Sequence, residues 1–128
     1  MTTPFKWGAE FLVNTTTANE QTLPAITALA DGRFVVSWQD LSLTGGDIYR
    51  VAIRGQVFNA DGSPAGAEFP VSTVSQTTGF YFPPAITALA NGRFVVSWTD
   101  GSHLGGVFFS YDIRAQMFNA DEIGRAHV

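Results

Sequence analysis

The chain contains no cysteine. That absence excludes disulfides, thiolate zinc sites and thiol nucleophiles. Lysine is nearly missing as well: Lys6 stands alone, and with scattered arginines it makes 7 basic residues against 11 acidic ones. The net charge of -4 and the lack of any basic cluster exclude nucleic acid as a partner, because binding a phosphate backbone requires grouped Lys and Arg. No apolar run approaches the roughly 18 residues of a membrane-spanning helix. The start, "MTTPFKWGAEF", lacks the basic-then-apolar order of a secretory signal. Charged residues are only 14% of the total, where about a quarter is usual.

What is present is apolar and aromatic. Hydrophobic residues make up 45%, with 11 Phe, and 13 Gly supply turns. A chain of 128 residues suffices for one domain with a core. So little charge implies extensive burial, against copies of the same chain included.

The dominant feature is an internal repeat. "ADGRFVVSW" from Ala30 to Trp38 returns as "ANGRFVVSW" from Ala90 to Trp98. Pro24–Gly62 aligns without gaps on Pro84–Glu122 at an offset of 60, with about 25 of 39 positions identical. Upstream, "GAEFLVNTT" from Gly8 matches "GAEFPVSTV" from Gly66 at an offset of 58, which places a two-residue loop insertion before Pro84. The chain is a single domain of two units, about 8–65 and 66–123.

Each unit reads as four short strands rich in Val, Ile, Phe, Thr and Trp. They are Glu10–Thr15 or Glu68–Thr73, Ala25–Ala30 or Ala85–Ala90, Arg33–Trp38 or Arg93–Trp98, and Tyr49–Asn59 or Phe109–Asn119. Asp31-Gly32 and Asn91-Gly92 suit type I′ hairpin turns, so the one-letter difference between them is expected to be structurally silent. Apolar groups fall on both faces of the third and fourth strands, unlike a sheet with one wet face. The expected fold is all-β, without helices: two four-stranded propeller-like blades per chain. Two blades cannot close a ring, so closure by oligomerisation follows, with a trimer giving six blades. The alternative is a pseudo-twofold β-sandwich or barrel.

The pattern "EF-x-VNTTT … ALADG-x-FVVSW-x-D … I-x-x-Q-x-FNADG" resembles tandem repeats of very large secreted bacterial proteins, many of the RTX, haemolysin-type calcium-binding kind. The resemblance spans Gly8 to Asp121. It implies adhesion or surface binding, and an extracellular or cell-surface location in the parent context. The glycine- and aspartate-rich nonapeptide array of such proteins is missing here. The architecture also looks like that of two-blade lectins that trimerise into six-bladed propellers.

Trp38 and Trp98 end the third strands and are followed by Asp40 and Asp100. An indole beside a carboxylate can stack on a sugar face while the carboxylate accepts hydroxyl hydrogen bonds; the same indoles can equally be core. Arg54 and Arg114 recur on strands expected to be buried, so they need partners, and Asp40 and Asp100 are the candidates. They could also present a fork of donors to a ligand. Asp47 and Asp112 lie in or near the divergent loops, where carboxylates are sparse and no D-x-D-x-DG loop occurs, so no cofactor is expected, with calcium as the alternative. His103 and His127 lack zinc spacing. Glu10 and Glu68 occupy equivalent strand positions and read as structural repeats. No G-x-S-x-G or G-x-G-x-x-G motif occurs, so no enzyme is expected. The expected function is non-catalytic ligand binding, with a glycan as ligand, in a homo-oligomer. The alternative is a structural, self-assembling repeat without a small-molecule ligand.

Overall fold

The computed structural model describes residues 5–18, 20–42, 49–72, 75–77, 83–100 and 111–123. These residues form an all-β structure of two antiparallel sheets, with no closed barrel. The first sheet holds β1 (Gln21–Ala28), β2 (Phe34–Asp40), β3 (Tyr49–Phe58), β4 (Phe69–Pro70) and β5 (Ser75–Thr77). The second holds β6 (Ala85–Ala88), β7 (Arg93–Asp100) and β8 (Asp112–Asn119) in that order. The strand order β1-β2-β3-β4 is a meander, with β5 also pairing β3 beyond the end of β4.

The first sheet crosses the repeat boundary. After β3 the chain turns at Asn59–Gly62, where the Gly62 amide donates to the Asn59 carbonyl at 2.9 Å. It then runs back along β3: Ala65 donates to Val57, Phe69 lies opposite Gly55, and the Val71 amide donates to the Ile53 carbonyl at 2.7 Å. The outer row of the first sheet is therefore the opening segment of the second repeat. Gly55 is what allows this close approach, since a Cβ there would stand 2.7 Å from the Phe69 ring. The second sheet has three strands among the described residues, not four, and β8 carries no strand on its outer side there. Its missing row corresponds to the segment holding Glu10–Thr15, expected as a strand, which carries no strand pairing in this structure.

The two hairpins differ. At Ala90–Arg93 both Asn91 (φ 64°) and Gly92 (φ 74°) are left-handed, and the Arg93 amide donates to the Ala90 carbonyl, as a type I′ turn requires. At Leu29–Gly32 only Gly32 is left-handed (φ 93°). There the Asp31 carboxylate accepts from the Arg33 amide at 3.1 Å and from its Nε at 2.7 Å. The Asp-to-Asn exchange is thus not silent: the carboxylate recruits Arg33, while Asn91 occupies the left-handed region itself. Arg33 also reaches Asp121 at 2.9 Å and so links the hairpin of one sheet to the end of the other.

Packing follows from the alternation of the strands. One face of the first sheet (Val35, Ile53, Val57) meets the Phe94 and Val96 face of the second, and Leu29, Phe69, Val71 and Ala120 complete this shared core. Phe69 fills the gap between the sheets, 5.2 Å from the Phe118 ring and 6.1 Å from that of Phe94. The opposite face of the first sheet (Val36, Trp38, Phe58) is covered by Val13 and by Phe11, whose ring lies 5.4 Å from Phe58. Coverage on both faces, expected from the strand pattern, holds for the first sheet. Among the described residues, the second sheet is covered on one.

Candidate functional site: an indole-lined cavity and an open sheet face

Trp38, Asp40 and Arg54 share one face of the first sheet, with Trp38 directly opposite Arg54. Trp38 is 3% exposed and borders a cavity of about 280 Å³ between this face and the N-terminal segment. Phe11, Leu12, Val13, Asn14 and Gln21 line it together with the indole. The Trp38 Nε1 is buried and has no hydrogen-bond partner among the described residues. A buried indole N–H usually finds an acceptor, so an unpaired one beside a cavity stands out.

Asp40, buried at the end of β2, accepts from Gln21 Nε2 at 2.9 Å and from the Ser42 amide and hydroxyl at 3.1 and 2.9 Å. Arg54 does not bond it. Its Nε lies 2.5 Å from Glu68, whose side chain is 5% exposed. Glu68 also accepts from the Thr15 amide at 2.7 Å, the Thr15 hydroxyl at 2.5 Å and the Thr16 amide at 3.2 Å. Burial alone would raise the Glu68 pKa, but the hydrogen bonds from Thr15, Arg54 and Thr16 together hold it below the usual carboxylate range. Glu68 thus fastens the N-terminal segment to the outer edge of the first sheet. Its strand position was visible in the repeat; its partners, 14 and 53 residues away, were not.

The second repeat arranges the same residue types differently. Trp98 packs partly buried against the shared core, opposite Arg114. Arg114 bonds Asp100 at 2.5 Å, the within-unit pairing that the sequence suggested. The six candidate residues therefore form two separate clusters, one per sheet.

Among the described residues, the other face of the second sheet is exposed along β8. Ile113 is 76% exposed and Met117 55%, whereas their counterparts Ile53 and Val57 are 3% and 1%. Repetition makes this contrast informative: the same side chains form core in one copy and face solvent in the next. Singly exposed apolar residues need no explanation, but two on one face of an edge strand do.

Asp47, His103, His127, the strand start at Phe109 and most of both divergent loops lie outside the described residues. Among those described, no group of three or more His, Asp or Glu could hold a metal ion, and no helix is long and apolar enough to cross a membrane. The chain matches no family model, no curated protein and no solved structure.

Proposed function

We propose that the chain is a non-catalytic, self-associating β-repeat module. The observation that carries this reading is the exposure of Ile113 and Met117 where Ile53 and Val57 are buried. Within one chain, the inner face of the first sheet packs on the Phe94 face of the second. The same contact, repeated between copies, sets the Ile113 face of one copy on the Trp38 face of the next. The two patches differ, so the interface is heterologous and closes only as a ring. Three copies would give six propeller-like blades, within the usual range of four to eight.

Ile113→Lys with Met117→Lys tests this. Both side chains face solvent in the single chain, so the fold is expected to hold within about 0.5 kcal/mol per substitution. Charge on an edge strand blocks strand and face pairing. The double variant is expected to keep its far-UV circular dichroism and run as single copies in sedimentation. Assembly at the wild-type mass would contradict the reading.

A second reading rests on two observations together, the cavity that Trp38 borders and its unpartnered Nε1. It makes the cavity a site for a small carbohydrate-like ligand that accepts from the indole. Trp38→Phe keeps a packed ring and removes the donor. It is expected to weaken such a ligand about tenfold, the worth of one hydrogen bond. Saturation-transfer NMR against simple sugars checks it, and silence across the panel with wild-type protein would count against a sugar site.

A further inference from the structure

We propose that residues 8–14 of one copy add as the outer strand to β8 of a second copy, with Glu10 taking Arg114 away from Asp100. This rests on the self-association proposed above and names its register.

The complete junction is already present once, inside the chain. Residues 66–72 run antiparallel to β3 with Phe69 opposite Gly55 and Pro70 opposite Arg54. Residues 8–14 are their counterparts by repetition. They also already lie where such a strand would lie. Phe69 rests on Phe118 at 5.2 Å, and Phe11 rests on the equivalent Phe58 at 5.4 Å. Val71 belongs to the core against the second sheet, and Val13 packs on the matching face of the first. The segment is docked on its face and lacks only an edge partner. β8 is the edge strand whose sequence matches β3.

Charge points to the same register. In the complete junction Arg54 bonds Glu68 and leaves Asp40 to Gln21 and Ser42. In the open one Arg114 turns to Asp100. The counterpart of Glu68 is Glu10, which is exposed. Transferring the register sets Leu12 opposite Arg114 and Phe11 opposite Ala115, and brings the Glu10 carboxylate to the guanidinium.

Polar groups match as well. The Ile53 amide donates to the Ser72 hydroxyl at 2.8 Å. The counterpart acceptor for Ile113 is the side-chain carbonyl of Asn14, whose amide nitrogen is engaged by the Thr16 carbonyl and Gln21. Ala115 replaces Gly55, so the Phe11 ring must sit aside from the added methyl.

The test is a charge exchange on the full chain, read by sedimentation after circular dichroism confirms folding. Glu10→Arg sets two cations together and is expected to raise the dissociation constant about tenfold or more, the coupling typical of contacting residues. Arg114→Glu alone is expected to do the same. Combined in one chain, Glu10→Arg and Arg114→Glu restore the pair between copies, and association is expected to recover. Lys6→Glu, outside the strand, is the control and leaves association unchanged. If the wild type associates but Glu10→Arg has no effect, or the combined variant is no tighter than either single one, the register proposal falls and the self-association reading stands. If the wild type never associates, both fall.

Discussion

Phe94→Ala is expected to cost about 3–5 kcal/mol, the usual loss for a fully buried phenylalanine. Phe94 is 0% exposed and sits where the two sheets meet, stacked on Phe118 at 5.3 Å and tilted against Phe69. The loss is about a fifth or more of the roughly 5–15 kcal/mol that holds a domain together. Phe34 is the same residue of the first repeat, stacked on Phe58 at 5.2 Å, yet it is only partly buried. In a background that keeps copies apart, such as the double lysine variant, Phe34→Ala is therefore expected to cost less. Urea unfolding of the two variants compares them directly. Equal losses there would mean that the core between the sheets is not where the single chain is held.

Glu68→Gln is expected to have the second large effect, about 1.5–3 kcal/mol at neutral pH, the range for hydrogen bonds to a charged group. It removes the carboxylate that joins β3, the outer row and the N-terminal segment. The pH dependence gives the sharper signature. The folded-state pKa of Glu68 is lowered, the net result of burial raising it and the Thr15, Arg54 and Thr16 hydrogen bonds lowering it. The stability it contributes is then complete above its unfolded-state pKa of about 4.3 and is lost as pH falls through the lower folded value. Wild type is expected to lose its advantage over Glu68→Gln across that acid window, so that their stabilities converge. Asp31 and Asp61 are also held low, the first chiefly by Arg33 and the second by Ser63, but both are common to the two proteins and cancel in the difference. A constant gap from neutral to strongly acidic pH would contradict the role given to Glu68.

Much of this fold was legible in the residues. The β-branched and aromatic run Phe34–Asp40 became an inner strand of its sheet, and Arg93–Asp100 the central strand of the second. Asn91-Gly92 made the expected turn because both residues accept positive φ. The difference at Asp31 escaped, since it depends on a carboxylate meeting the Arg33 side chain rather than on backbone preference.

The larger miss concerns where a sheet begins and ends. Repetition marks a period but not its phase. Only the return of the chain along β3, with Phe69 over Gly55, shows that a sheet takes its outer row from the following repeat. The partner of Arg54 was hidden for the same reason, because Asp40 and Glu68 are equally plausible by charge and only the register chooses between them. Trp38 and Trp98 illustrate the limit for the candidate site. Nearly identical sequence around them yields one indole beside a cavity and another against the core between the sheets. The environment of each is set by which sheet covers it, a property of neighbours rather than of the local sequence.

Solution mass tests the central claim most directly. Sedimentation velocity on the wild-type chain, over a range of concentration, should return a discrete multiple of 13.8 kDa, with three copies expected. A single species of 13.8 kDa at every concentration would mean that the Ile113 face and the β8 edge find no second copy, and the account of this repeat as a self-associating module would be wrong.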